Sequence, residues 1–452
     1  MAKADRDAVL RARKRVPPPG GALLEDTEKM KQKHHRMLCA FCALVILVST
    51  VFPTAAFAEQ PVDAAAAEQT LTRADAAGMQ QADAAVTALT ESEQYQEMDT
   101  DARKDAALAQ LDTLAAKGLV EKDSIYTDEE NGMVSFRYPC GVLGGILLTE
   151  PEDETLDEEN AETETTSNAL PLRLPPDLGA EMQKSRAALL RRTENQAVEK
   201  FGTAVIYYAF DNTINSSRFP YYSYMQGFWS ALGLETKINI HVTVADLKKM
   251  GNYNVSVLSA HGSYYTYSYG KFLKRTRTEP IMLLTEESTF GKDLRYGFDL
   301  LAHRVIKVNG MYCVTSDFFR NAYKGGKLSN TIVYSETCEF LGVDGSEDNA
   351  MADALLSGGA QAVIGYVNNV YTVYSRSMLW DTINHLIMGQ NVGQALEHAK
   401  ATYGEDDLIW YHAQGGRRPH AAASYAVLYG NSQAALHVPE SNRSMFSADL
   451  AA

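Results

Sequence analysis

The sequence predicts an α/β protein in which a mostly parallel, buried sheet carries helices on both faces, with a small α+β module ahead of it. Three observations predict this. Between residues 203 and 366 short apolar runs alternate with helical patterns, and strands that alternate with helices pair in parallel because each crossover needs a covering helix. The runs are continuously apolar, which marks strands buried on both faces. Two of them, Val255–Ala260 and Thr331–Ser335, each lead into one reactive residue, and a parallel sheet presents such residues at its carboxyl edge.

The predicted strands are Thr203–Phe210, Lys237–Val242, Tyr253–Ala260, Ile281–Thr285, Thr331–Ser335 and Gln361–Tyr366. Helical spacing of apolar residues places helices over Tyr222–Leu232, Val244–Met250, Asp317–Tyr323 and Glu347–Leu356, with Tyr371–Met388 as a late covering helix. Thr243 and Asp246 form a capping pair ahead of the second of these, and Ser346 fits as a cap for the fourth. Val305–Val314, turning on Asn309-Gly310, reads as a β-hairpin insertion.

Ahead of this region lie four further segments. Residues 1–58 read as an export signal: 1–36 hold ten Lys/Arg against five Asp/Glu, 37–58 hold no charge, and Ala56-Phe57-Ala58 is a cleavage pattern before Glu59. The apolar run is shorter than the roughly 20 residues of a membrane span, and the alternative to cleavage is an uncleaved anchor. Residues 59–149 read as a mobile, Ala-rich helical stalk followed by a small α+β accessory module. The module has a helix over Ala102–Lys117 and strands flanking the hairpin signal Asn131-Gly132. Residues 150–200 read as an acidic linker, with nine acidic and no basic residues in 150–164, and then a charged helical segment that contains Arg191-Arg192. The main domain spans 201–440, and 441–452 is a tail.

At 452 residues and 45% hydrophobic content the chain is long enough for two domains. Its net charge of −15 argues against a nucleic-acid partner, since phosphate binding needs a basic surface. Without the export signal three of the five cysteines remain, Cys140, Cys313 and Cys338, too few for a disulfide scaffold even in an oxidising compartment. Cys140 and Cys313 either pair or stay as buried thiols, and the thiols are favoured. No histidine shows metal-ligand spacing, His385 and His398 included. The acidic run Asp344–Asn349 lacks the spacing of a calcium loop, so neither a metal nor another cofactor is expected. Tyr264, Tyr265, Tyr267 and Tyr269 either wall a substrate groove or form an ordinary half-buried loop.

The chemistry rests on the two strand ends. A cysteine is a nucleophile as its thiolate, and an imidazole on a neighbouring strand end supplies both the deprotonation and a later proton for the leaving group. That assigns His261 and Cys338 as a catalytic pair. Gly262 lets the backbone approach a substrate carbonyl, and its N–H can join that of Cys338 as an oxyanion hole. Either residue alone is as well explained as a buried or satisfied side chain, so the ordered pair carries the assignment.

At these residues, His261-Gly262 and Glu336-Thr337-Cys338, the sequence resembles the caspase-like cysteine peptidases, which include caspases, legumains, clostripain, gingipains and CHAT domains. The resemblance continues through Ala352–Tyr366, with its Gly358-Gly359-Ala360 turn, through Gly389–Leu396, and through Tyr425–Asn431. It departs from the family's usual Gly-Asp-Pro ending at Gly430-Asn431-Ser432. It covers about residues 200–437, closest in pattern to gingipain-like and CHAT domains.

The resemblance implies a caspase-like parallel-sheet sandwich and an exported cysteine endopeptidase, secreted or at the cell surface, that acts on a protein or peptide substrate. It would touch a membrane only through an uncleaved signal. It also implies that Glu336 lies near the pocket for the residue whose carbonyl is attacked, where a carboxylate would favour Arg or Lys. Glu336 could instead cap the strand, or accept from an amide as in the Asn-cleaving legumains. A basic preference would make Arg191-Arg192 a self-processing site. Asp211 is the candidate to orient His261. Two rivals fit the same residues: a non-catalytic binding or adhesion protein of the cell envelope, and a transpeptidase that passes through the same acyl-enzyme.

Overall fold

Apolar strands followed by amphipathic helices fold as layers, and the layers set where the reactive residues lie. The computed structural model describes residues 70–148, 198–210, 219–270, 274–413 and 422–446. All of them belong to one unit that runs from Ala65 to Ala452. The segment read as an export signal, residues 150–197 of the segment read as an acidic linker and helix (Arg191-Arg192 among them) and Asp211 lie outside the described residues.

The chain begins with helices α1 (Arg73–Thr90) and α2 (Thr100–Ala116), then strands β1 (Tyr126–Asp128), β2 (Met133–Arg137) and β3 (Leu143–Leu147). Beyond residue 200 come β4 (Gly202–Ala209), α3 (Phe219–Ala231), β5 (Leu234–Asn239), β6 (Val255–Ala260), β7 (Gly262–Tyr269) and β8 (Arg275–Glu287). Helix α4 (Phe290–Leu301) leads to β9 (Val305–Val308), β10 (Met311–Thr315) and β11 (Ile332–Ser335), with the two-residue strands β12 (Gly342–Val343) and β13 (Ser346–Glu347) after them. The chain continues through α5 (Ala350–Ser357), β14 (Ala362–Val367), α6 (Thr372–Ile387), α7 (Val392–Tyr403) and β15 (Tyr425–Gly430).

Six strands form the expected sheet in the order β15-β14-β11-β6-β4-β5. All neighbours pair in parallel except β15, which closes one edge antiparallel to β14. Alternate residues face opposite sides of the sheet, as a pleated strand requires. Ala204, Ile206, Tyr208, Val257 and Tyr334 share a core with Met225 and Trp229 of α3 and with Met378 and Ile383 of α6. Val205, Tyr207, Leu258 and Val333 share a second core with Leu247, Phe318, Phe319 and Leu355. The α/β class and the helices on both faces are therefore as the sequence predicts. The Thr243–Asp246 capping box is present. Ser346, however, is no helix cap but a strand residue paired with Val343, and the Asp348 carboxylate accepts the first helical N–H, that of Ala350, at 2.9 Å.

The second sheet differs from expectation. It has seven strands in the order β1-β2-β3-β9-β10-β8-β7. It therefore joins the amino-terminal strands to Ile281–Thr285, which the sequence places in the parallel sheet, and to the Asn309-Gly310 hairpin. The sheet curls until its ends meet. Arg137 at the β2 end donates to the Ser268 carbonyl at 2.9 Å, and the Tyr265 hydroxyl on β7 donates to the Gly144 carbonyl on β3 at 2.8 Å. Met133, Leu143, Tyr265, Tyr267, Leu283, Ile306 and Cys313 fill the interior. Strands β1, β2 and β3 of the segment read as an accessory module are thus one part of a barrel-like layer whose other part comes from residues 262–315. The tyrosines read as a groove wall or loop are strand residues, three of them buried and only Tyr269 exposed.

Helix α1, within the segment read as a mobile stalk, is packed. Its alanines make this possible: Ala76 and Ala82, with Met79 and Val86, form a stripe small enough to let the helix lie close against the core. A buried ion cluster fixes it there. The Lys307 ammonium of β9 lies between the carboxylates of Asp83 (α1), at 2.5 Å, and Asp293 (α4), at 2.9 Å, with no exposed surface of its own. Tyr138 donates to Asp83, and Tyr312 and Gln80 donate to Asp293 at 2.8 and 2.9 Å. Among the described residues no helix is long and apolar enough to cross a membrane.

Removing one member of such a cluster strands the others as uncompensated buried charges, at a cost of about 3–5 kcal/mol. Lys307→Met is therefore expected to lower the melting temperature by several degrees and to release α1, read as faster amide exchange across Arg73–Thr90. Unchanged melting with unchanged exchange would remove the cluster as the lock.

Candidate active site

His261 and Cys338 follow two strands that are held in register. Strands β6 and β11 are adjacent and parallel, Leu258 is paired with Ser335, and the Glu336 N–H donates to the Leu258 carbonyl at 2.8 Å. His261 and Cys338 each lie three residues beyond that pair in sequence, His261 in the one-residue link between β6 and β7 and Cys338 in the turn that follows β11. On the far side of β6, strand β4 ends level with it, Ala209 opposite Ala260. The next residue, Phe210, sets its ring edge-on to the His261 imidazole at 4.8 Å between centroids. The imidazole thus has an aromatic wall.

Gly262 is the pivot. The parallel sheet ends at Ala260 and the second sheet starts at Gly262, paired with Met282, while the His261 carbonyl accepts from the Leu283 N–H at 2.9 Å. A Cβ at position 262 would overlap the Cys338 carbonyl oxygen and the Thr337 methyl. Glycine is therefore required by close approach, and that approach presses the two proposed oxyanion donors, Gly262 and Cys338, against each other.

Cys338 is half-buried, and its sulfur accepts from the Val370 N–H at 3.4 Å. The thiol in turn donates to the Val370 carbonyl at 3.9 Å. The Val370 segment is held by residues that the sequence did not single out. Asn368, buried and in the left-handed region at φ 66°, accepts the Glu339 N–H on its carbonyl at 3.0 Å, accepts the Gly345 N–H on Oδ1 at 2.9 Å and donates from Nδ2 to the Ala423 carbonyl at 2.9 Å. Asp407, fully buried, accepts the N–H groups of Tyr371 and Ser424 at 2.8 and 2.9 Å. Asn368 had a legible signal in principle, since an Asn-Asn pair closing an apolar strand is a turn residue pattern. Asp407 had none, because its partners are distant backbone groups. Burial and the neighbouring Asp344 push the carboxyl of Glu339, the residue after Cys338, up to about 7.

Glu336 lies inside the sheet end and is only 4% exposed. Tyr222 donates to one carboxylate oxygen at 2.8 Å and Ser375 approaches the other at 3.4 Å, while Ser259 donates to the Tyr222 hydroxyl at 2.9 Å. Burial raises its pKa, opposed by the bonds from Tyr222, Ser259 and Ser375 and by the charge of Arg376. Arg376 is itself buried, its guanidinium stacked 4.2 Å from the Tyr221 ring centre.

The remaining cysteines, Cys140 and Cys313, are free thiols. Burial raises the pKa of both, that of Cys313 far above the usual thiol range. Of the histidines read as lacking metal spacing, two are brought together by the fold: His385 and His398 stack at 3.7 Å between centroids beside Asp381. Sequence spacing misses this pair because they sit on different helices, α6 and α7.

A scan against protein-family models and a search of curated proteins both return no match to this chain.

The close approach at Gly262 generates a test. Gly262→Ala must push the Cys338 backbone away, and a displacement of about 1 Å costs about 10²-fold in a positioned reaction. Acylation of Cys338 by a substrate-like thiol probe is expected to slow by that factor while the circular dichroism spectrum is unchanged. A rate within threefold of wild type would show that Gly262 does not position the site.

Proposed function

We propose that the chain is an exported cysteine endopeptidase of the caspase-like fold that works through His261 and Cys338. The observation that supports this reading is that His261 and Cys338 directly follow the adjacent parallel strands β6 and β11, with the Gly262 Cα against the Cys338 backbone. In the mechanism, Cys338 Sγ, its proton taken up by His261, attacks the scissile carbonyl and forms the C–S bond. The oxyanion is held by the N–H groups of Gly262 and Cys338. Collapse breaks the C–N bond, and the imidazolium gives its proton to the leaving amine. Water, deprotonated by the same imidazole, then splits the thioester and regenerates Cys338.

Glu336 is proposed to set the preference at the residue whose carbonyl is attacked. A bare carboxylate would select Arg or Lys, which would make Arg191-Arg192 a self-processing site. The company of Glu336 favours a second reading. With Arg376 and Tyr222 already compensating its charge, the locus is closer to neutral and offers an acceptor to an amide side chain such as that of Asn. The protein acts outside the cell or at its surface, after cleavage before Glu59. Transfer to an amine in place of water would give a transpeptidase from the same intermediate. Loss of turnover on an intact fold would give an envelope binding protein.

Wild type, Cys338→Ala and His261→Ala chains, incubated side by side and with a peptide library, separate these readings. Each substitution is expected to lower turnover by about 10² or more, since nucleophile and base act as a unit. New amino termini confined to the wild type and starting after Arg191 or Arg192 would support the basic preference, and cleavage only after Asn would replace it with the amide reading. Near-normal turnover in both variants would overturn the peptidase.

A further inference from the structure

The packing of α6 on α7 gathers three ligating side chains away from the cysteine. Asp381 and His385 are four residues apart on α6 and so share one face, and His398 meets them from α7. The Asp381 carboxylate is 2.7 Å from His398 Nδ1 through one oxygen and 3.7 Å from His385 Nε2 through the other. The three ligand atoms all lie within 4.8 Å of one another. Two imidazoles and a carboxylate form the ligand set of a borderline divalent cation, with three protein positions and a fourth open to water. Around a tetrahedral zinc, ligand atoms stand about 3.3 Å apart, as bond lengths near 2.0–2.1 Å require. The observed spacings straddle that value, and His398, with 46% of its side chain exposed, has room to adjust.

A second observation points the same way. His385 is almost fully buried, and its Nε2 is 3.7 Å from the carboxylate, longer than a hydrogen bond. Its Nδ1 is buried and so is Gln390 Oε1, each without a well-formed bond to another group, and the two side chains lie beside each other. Gln390 is thus placed to accept Nδ1–H and leave the Nε2 lone pair turned to Asp381, the arrangement that outer-shell partners impose on metal-bound histidines.

We propose that Asp381, His385 and His398 bind one zinc-class divalent cation that clips α6 to α7. Binding replaces the proton shared between His398 and Asp381, which leaves to solvent as the metal enters. The clip is structural. It holds the carboxyl-terminal half of the helix whose first turns carry Ser375 and Arg376 beside Glu336, and it does not depend on the peptidase reading.

The test uses the full Cys338→Ala chain, so that the cysteine cannot supply a competing thiolate. Titration with Zn²⁺, followed by calorimetry and by metal analysis after dialysis, is expected to give one ion per chain and a raised melting temperature. In the same background His398→Ala, an exposed position, should leave the metal-free melting temperature within a few degrees, weaken zinc binding at least tenfold and abolish the thermal shift. Asp381→Asn should do the same, and Co²⁺ bound in place of zinc should show a nitrogen and oxygen ligand field without a thiolate band. Zinc binding that is absent at micromolar concentrations, or unchanged in affinity and stoichiometry by His398→Ala and Asp381→Asn, would overturn the site and leave the Asp381–His398 pair as an ordinary hydrogen bond.

Discussion

The chain crosses from one sheet to the other through a single residue, His261, and Gly262 permits the crossing. Upstream lies the last residue of a parallel strand, downstream the first of an antiparallel one, and the glycine Cα rests on the Cys338 backbone. A side chain there would separate the sheets or displace the cysteine. Because β7 begins at that point, its pairing with β8 and the closure of the second sheet around Tyr265 and Tyr267 fix the His261 backbone from outside the parallel sheet. The His261 backbone is therefore held from two independently hydrogen-bonded layers, the rigidity that the proposed nucleophile and base would require.

Two buried charged groups show how the layers are kept in place. Lys307 is balanced by Asp83 and Asp293, so α1, α4 and β9 meet at one point, and the amino-terminal segment becomes part of the layer that supports His261. Glu336 is balanced by Tyr222, Ser375 and Arg376 from α3 and α6, the helices on the opposite face. Neither group is cheap to bury, and breaking either set leaves charge without compensation. The first ties α1 and α4 to the second sheet, and the second ties α3 and α6 to the end of β11.

Much of the parallel sheet was legible because β4, β6, β11 and β14 are local apolar runs with helices between them. The places of His261 and Cys338 just past β6 and β11 were legible because each follows such a run. The second sheet was not, since its defining pairs, such as Gly144 with Lys307 and Gly262 with Met282, are far apart in sequence and leave no periodic trace. Ile281–Thr285 has the same apolar composition as a parallel strand, and only its partners tell it apart. Helix α1 was misread for a physical reason. An Ala-rich stripe has little hydrophobic area and looks coreless, yet its small size is what permits close packing around Asp83. Asn368, Asp407 and the Asp381/His385/His398 cluster escaped because each acts through contacts between separate elements.

The most direct measurement is to treat the purified chain, begun at Glu59, with a peptidyl electrophile that traps catalytic thiols, and to map the modified residue by mass spectrometry. A working His261–Cys338 pair requires modification at Cys338, none at Cys140 or Cys313, and its loss in His261→Ala. Labelling spread over Cys140 as readily as Cys338, or labelling of Cys338 undiminished without His261, would contradict a catalytic pair at the junction of the two sheets.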